Sequence, residues 1–317
     1  MRKVAFVLFP KFSMIGLTSA LEPLRVVNRY GAPEFSWTFV SADGEPVDAS
    51  NGIPVSADHS VSSMPKPDIA LFCASYEAEQ GISRPVLACA RRLARQGVQL
   101  GGVDSGQIML AEAGVLDGYR VAVHWETVAG FRETYRQVDV TNSAYEIDRD
   151  RLTAATGSAA IDMMLDFIGR ELGQQQALFA AEQLGHRPVP GEVTEARLPP
   201  EIRYQVDHPR VVRVLRAMEE NAEDLLSTAD LARIGGISVR QMERLFAQHL
   251  NQPPRQLYRE IRLIRAERLL TYSKLPVTDV AVACGFTSVA EFSRAYKRQH
   301  GSPPSRHRRR IISAGLY

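Results

Sequence analysis

Cysteine is scarce, with three in 317 residues. The count is odd, and Cys73, Cys89 and Cys284 have no metal-ligand spacing. That excludes a disulfide framework and a zinc cluster, and it suggests a reducing compartment. Long hydrophobic runs are also missing. The start, MRKVAFVLFPKF, has a basic pair but only a six-residue apolar run before Pro10. This is too short for a signal peptide, and no later run reaches membrane-spanning length. The chain is therefore expected in the cytoplasm, with no membrane partner. Net charge is small, +2, while 45% of residues are hydrophobic and 23% charged, which are globular values. The length is enough for two domains, each with a core of ordinary size.

The small net charge hides an asymmetry. Residues 207–317 hold 19 Lys+Arg against 11 Asp+Glu, a balance of +8, and residues 1–206 hold 19 against 25, a balance of −6. The basic part suits phosphate contact, and the acidic part is a poor nucleic-acid binder.

The basic part contains a duplication. STADLARIGGISVRQMERLFAQHLNQPP (227–254) is echoed by PVTDVAVACGFTSVAEFSRAYKRQHGSPP (276–304). Ala232, Gly236 and Ile237 match Ala281, Gly285 and Phe286 at a spacing of 49. Met242, Arg244, Phe246 and Pro254 match Phe292, Arg294, Tyr296 and Pro304 at a spacing of 50. Such repeats are settled before anything else is read. Each copy reads as helix, tight turn, helix. Ser227 with Asp230 resembles a capping box, and Leu231, Ala232 and Ile234 supply an apolar face. Gly235-Gly236 and Gly285 end the first helices, and Ser238 and Ser288 cap the second ones. Val239, Met242, Leu245, Phe246 and His249 are expected inward, as are Phe292 and Tyr296. Arg240, Gln241, Glu243, Arg244 and Gln248 are left outward, as are Glu291, Ser293, Arg294, Lys297 and Arg298.

A helix set at a glycine turn, with long polar side chains outward, suits a DNA major groove. Between the copies, RQLYREIRLIRAERLLTYS (255–273) reads as one helix; nineteen residues span roughly 28 Å. One DNA turn is about 34 Å, so the reading helices are expected in successive major grooves. Arginine pairs with guanine, and Glu accepts from cytosine N4. Base readout falls to Arg240, Glu243, Arg244, Glu291, Ser293 and Arg294, with Gln241 and Ala290 close by. Arg262, Arg265, Lys297 and Arg298 are expected on phosphate or solvent, as is the tail RHRRR (306–310).

Residues 1–185 alternate strand and helix. VAFVLF, FSWTFVSAD, DIALFCAS, VQLGGV, YRVAVHW, VDVTNSAYEID and RLTAATG read as strands, and residues 53–65 look irregular. SMIGLTSALEPLRVVNRY, PVLACARRLARQG, QIMLAEAG and SAAIDMMLDFIGRELG read as helices, the last capped by Ser158. The order implies a doubly wound, mostly parallel sheet, with ligands collecting at the carboxyl ends of its strands. Glu22, Asp104, His124 and Glu126 fall there or nearby, with Ser105 and Trp125 beside them. Residues 186–207, HRPVPGEVTEARLPPEIRYQVD, are proline-rich and aperiodic and read as a semi-rigid linker. Residues 208–317 form the all-α domain.

The tail closely resembles the AraC/XylS family of transcription regulators. The LA…GG-S…M-RLF of the first copy, RLIRAERLL, and DVA…CGF…EFSRAYKRQHGSPP of the second carry the likeness. Strand–GGVDSG–helix resembles the elbow of the PfpI-like, class I glutamine-amidotransferase-like fold. LTSALEPLRVVNR, SADGEPVDASNGIPV, LAEAGVLDG, VHWET and TGSAAIDMMLDFI are similar to the GlxA-like regulators that join that fold to an AraC-type tail. The resemblance implies an α/β sensor and dimerisation domain ahead of two helix-turn-helix motifs. It implies double-stranded DNA and a small effector as partners, a homodimer, and RNA polymerase if the protein is an activator. No cofactor or metal is implied. Relatives in the group are associated with glycine betaine, carnitine or arginine.

Enzymes of the PfpI-like fold carry a cysteine nucleophile at the elbow, where this chain has Asp104. Cys73 and Cys89 are expected away from it. Ser105 beside His124 shows no oriented triad in the sequence, so an amidase-like enzyme is the weaker reading. Plainer roles compete at each position. Asp104 is expected first as a helix cap, His124 and Trp125 as core, and Glu126 as a cap or solvated residue. If these residues face one cleft, it is acidic with an aromatic wall, which favours a cationic amine or amino-acid derivative. A regulator whose first domain only dimerises is the other alternative.

Overall fold

A computed structural model describes residues 1–30, 33–188, 199–273 and 275–313. The chain divides into two compact units, Met1–Ala196 and Arg197–Gly315. No helix among the described residues is long and apolar enough to cross a membrane.

The first unit contains β1 (Arg2–Leu8), α1 (Met14–Tyr30), β2 (Phe35–Ser41), β3 (Val47–Asp48), β4 (Pro54–Val55), β5 (His59–Ser60) and β6 (Ile69–Ala74). It continues with α2 (Arg84–Arg95), β7 (Gln99–Asp104), α3 (Gln107–Glu112), β8 (Arg120–Ala122), α4 (Val128–Thr134) and β9 (Asp139–Thr141). β10 (Tyr145–Asp148), β11 (Arg151–Ala154), α5 (Ala159–Leu172) and α6 (Gln174–Gln183) complete it. Seven strands form one sheet in the order β10-β11-β7-β6-β1-β2-β5. All neighbours are parallel except β10 against β11. The short β4 and β5 lie in the stretch expected to be irregular. YRVAVHW forms only the short β8, which pairs with β9 outside the main sheet.

The run VAFVLF is apolar at every position because both faces of its strand are covered. Val4, Phe6 and Leu8 join a core with residues of α1, α5 and α6, whereas Ala5, Val7 and Phe9 join the opposite core with residues of α2 and α3. The period-two alternation of a strand divides them. Ser158 does not cap α5; the Thr156 hydroxyl accepts from the Ala159 amide instead.

Of the expected linker, residues 189–198 lie outside the described residues. Its later part folds onto the second unit. Pro200–Arg203 forms a helical turn, α7, Val206 is buried, and Arg203 forms a two-bonded pair with Glu219. The unit continues with α8 (Pro209–Glu220), α9 (Thr228–Gly235), α10 (Val239–Leu250), α11 (Pro254–Tyr272), α12 (Val277–Ala283), α13 (Val289–His300) and α14 (Pro304–Ser313). Val214, Leu215, Met218, Leu231, Met242, Phe246 and Leu257 share one core.

Candidate functional site

Both duplicated turns are built as the residues require. Gly236 closes α9 at φ 67°, and Gly285 follows α12 at the same φ, a left-handed backbone that glycine enters without steric cost. At α9, the Ser227 hydroxyl accepts from the Asp230 amide, and Asp230 accepts from the Ser227 amide. Hydrogen bonds from Ser227 and Arg233 hold the Asp230 carboxyl below its ordinary range. At α10, Ser238 and Gln241 bond reciprocally at 3.1 and 3.2 Å. At α13, the Ser288 hydroxyl accepts from the Glu291 amide at 3.4 Å. Each second helix therefore leaves its turn in a defined direction.

Met242, Phe246, Phe292 and Tyr296 are wholly buried. Arg240, Gln241, Glu243, Arg244, Ala290, Glu291 and Arg294 are exposed, and Ser293 is half-buried. The outward set thus stands where the register places it. Arg240, Glu243, Arg244 and Arg294 have no hydrogen-bonded or ion-paired partner among the described residues. Gln241 is different, because its side-chain oxygen already caps α10. Val239 and Ile234, expected inward, are exposed. Each lies at a helix end, where the apolar stripe of a short helix has run past its neighbours.

Several arginines expected on phosphate or solvent serve the fold instead. Arg262 donates to the Cys284 carbonyl at 2.7 Å and lies over the Phe286 ring at 4.0 Å, tying α11 to the second turn. Burial pushes its guanidinium below its usual value. Arg265 pairs with Glu223 at 3.3 Å. In the RHRRR tail, Arg308 donates to the Leu269, Ser273 and Leu275 carbonyls at the end of α11, and His307 bonds Thr271 and Tyr296. Lys297 and Arg298 remain exposed.

In the first unit, strand exits gather at the carboxyl edge of the sheet. Lys11 follows β1, Glu77 follows β6 and Asp104 ends β7; these are adjacent strands, and the residues have φ values of 60°, 58° and 61°. Left-handed backbone at three neighbouring non-glycine positions concentrates strain at one edge, a frequent property of ligand sites. Lys11 and Glu77 form an ion pair at 2.5 Å. Gly106 closes the elbow because a Cβ there would lie 1.8 Å from the Phe72 carbonyl oxygen.

Asp104 does not cap α3. Gly106 is the N-cap residue, and no side chain bonds the end of the helix. Its carboxyl interacts with Ser75 and Ser105 and lies in the field of His124 and Glu126. Burial raises its pKa; His124 and the two serine bonds oppose the rise, and Glu126 adds to it. His124 Nδ1 accepts from the Glu126 amide at 3.4 Å, and its ring lies 5.4 Å from that of Trp125. His124 and Trp125 are half-buried, so neither is a core residue, and Thr127 rather than Glu126 takes the cap position of α4. Asp104, Ser105, His124 and Glu126 are thus brought into one electrostatic cluster, with Trp125 beside it. Ser75 belongs there too. Only the pairing of β6 with β7, which sets Ala74 opposite Asp104, reveals it. Glu22 pairs with Arg25 at 2.6 Å on α1.

Cys73 lies nearer the elbow than expected, paired with Val103 and within the field of Asp104. It is wholly buried, and burial pushes its thiol far up, so it is an unreactive core residue. The Ser105 hydroxyl is bonded to a carboxylate. The elbow position is thus a carboxylate rather than a thiol, with hydrogen-bonding groups around it.

Comparison with known proteins accounts for both units. The DJ-1/PfpI family matches residues 2–170, and the helix-turn-helix domain family matches residues 231–310. The chain is 41% identical over 303 residues to the HTH-type transcriptional regulator CdhR of Pseudomonas aeruginosa, covering 96% of this chain and 90% of that protein. It is 34% identical over 304 residues to the HTH-type transcriptional regulator GbdR of the same species, covering 96% and 83%. A solved AraC family transcriptional regulator from Pseudomonas putida superposes with TM-score 0.53 at 31% identity, covering 58% of this chain and all of that one. A DJ-1/PfpI domain with an aspartate elbow, followed by a duplicated helix-turn-helix, places this protein among the AraC-family transcriptional regulators of the GlxA-like group.

Proposed function

We propose that α10 and α13 read successive major grooves and that a small cationic metabolite at the carboxyl edge of the first unit controls them. One observation carries the DNA-reading half. Arg240, Glu243, Arg244 and Arg294 stand exposed on two capped helices with no partner among the described residues, Arg244 and Arg294 at matching register, while Arg262, Arg265 and Arg308 are engaged inside the fold. Free guanidinium forks on an exposed helix face suit guanine edges. Glu291, Ser293 and Ala290 complete the second reader, and Gln241 contributes through the cap it forms. Lys297 and Arg298 supply phosphate contacts. Arg240→Ala is expected to change the preferred sequence. Lys297→Ala is expected to weaken all sites alike and reduce the salt slope by about one. A gel-shift series in which both variants behave alike would contradict the assignment.

The effector reading rests on Asp104. Burial holds its carboxyl above its ordinary range with Glu126 nearby, and a bound cation relieves that penalty. Trp125 offers an aromatic face. A quaternary amine, arginine or a related amino-acid derivative fits this chemistry, and the protein acts as an effector-dependent activator of the operon that degrades the compound. It binds repeated sites as a homodimer and recruits RNA polymerase. Calorimetric titration of the full chain with such amines tests the reading. No heat from any of them, or equal binding by Asp104→Ala, would remove the effector assignment and favour a first unit that only dimerises.

A further inference from the structure

We propose that Val239 and Val289 read the C5-methyl groups of thymine, one beneath each reading helix. The inference rests on the assignment of α10 and α13 to the major groove. Val239 and Val289 occupy the same place in the two copies, 50 residues apart, each directly after the capping serine. Both are exposed, 37% for Val239 and 41% for Val289. The core stripe of each helix begins only three residues later, at Met242 and Phe292, and those side chains are wholly buried. Neither valine therefore belongs to the packed interior, and β-branched side chains are no favoured choice for an exposed helical position.

The chemistry of the groove supplies a partner. The first residues of a reading helix approach base edges most closely. Among the groups displayed in the major groove, the thymine methyl is the apolar one, and small apolar side chains meet it. Val239 lies four residues before Glu243 and Val289 four before Ser293, so each valine shares a stripe with a polar reader. The helices then diverge. Arg240 follows Val239 in α10, whereas exposed Ala290 follows Val289 in α13. The second helix therefore begins with two adjacent apolar side chains, and its half-site is the more thymine-dependent. The first half-site combines one thymine with guanine contacts.

Deoxyuridine tests this directly, because it lacks the methyl and keeps every hydrogen-bonding group of thymine. Sites are enriched from random-sequence duplexes with the full chain, and each thymine is then replaced singly by deoxyuridine. At one position or more under each helix, the wild type is expected to bind roughly fourfold more weakly, the effect of one buried methyl. Val289→Ala is expected to weaken that discrimination under α13 and leave it under α10, and Val239→Ala to do the reverse. Val289→Thr keeps the shape with one methyl replaced by a hydroxyl and is expected to reduce the discrimination as well. Equal binding of thymine and deoxyuridine by the wild type, or discrimination undiminished in both alanine variants, would overturn the inference and leave the DNA-reading assignment standing. A chain that enriches no duplex would remove that assignment and this inference together.

Discussion

Gly236 and Gly285 offer a controlled comparison within one chain. They occupy the same place in the two copies, and both sit at φ 67°. An alanine at either position must enter the left-handed region, at about 1–2 kcal/mol. Their surroundings differ. A Cβ on Gly236 meets nothing nearer than the Arg213 guanidinium at 3.9 Å. A Cβ on Gly285 would stand 2.7 Å from the Glu223 carbonyl oxygen, 3.2 Å from that of Ala222 and 3.1 Å from Leu225 Cγ. Backbone must move to admit it, which adds about 1–3 kcal/mol of overpacking. Gly285→Ala is therefore expected to lower the stability of the second unit by about 2–5 kcal/mol, and Gly236→Ala by about 1–2 kcal/mol. At roughly 4–8 °C per kcal/mol for a domain near this size, the two melting points separate clearly. Both tryptophans, Trp37 and Trp125, lie in the first unit, so their fluorescence cannot follow the loss. Amide hydrogen exchange of α9 to α13 across a urea series can. Equal loss at the two positions, or a greater loss at Gly236, would refute the claim that the close approach to Glu223 distinguishes the turns.

Asp104→Asn is expected to stabilise the first unit near neutral pH. A carboxyl whose folded pKa is raised by burial favours the fold when protonated, and that contribution is lost as pH rises through the folded value. The advantage of the variant should shrink as pH falls into the ordinary carboxylate range, followed by Trp125 fluorescence during denaturation; an advantage independent of pH would count against the assignment. Gln241→Ala is expected to destabilise the second unit by about 1 kcal/mol through loss of the α10 cap while leaving base preference unchanged; a sequence-selection experiment that shows altered preference would make Gln241 a reader. Glu219→Ala removes a carboxylate that accepts two bonds from Arg203 and one from Tyr204, and is expected to cost about 2 kcal/mol in urea unfolding of the second unit. A loss below about 1 kcal/mol would class the pair with ordinary surface bridges.

The local features of this protein were decided by short stretches of sequence. A run that is apolar at every residue requires cover on both faces, so VAFVLF belongs to a parallel sheet wherever it sits. Serine three residues before a helical Asp, Gln or Glu sets the starts of α9, α10 and α13 through bonds spanning three positions, and glycine closes the turn inside each copy. The polar outward residues of α10 and α13 follow from period 3.6. What sequence could not decide depends on groups brought together from distant positions. Asp104 looked like a cap because the sequence carries no sign of its left-handed φ or of the interaction of its carboxyl with Ser75 after the neighbouring strand. Arg262 and Arg308 looked like phosphate contacts because an arginine on a helix shows its charge and conceals the carbonyl it will meet, 22 residues away for Arg262 and 33–39 for Arg308. Ile234 and Val239 matched the apolar stripe, yet burial depends on the neighbour as well as on the period, and at the ends of short helices the neighbour stops first. Periodicity is a property of one element, whereas pairing and burial belong to two, and only the tertiary structure supplies the second.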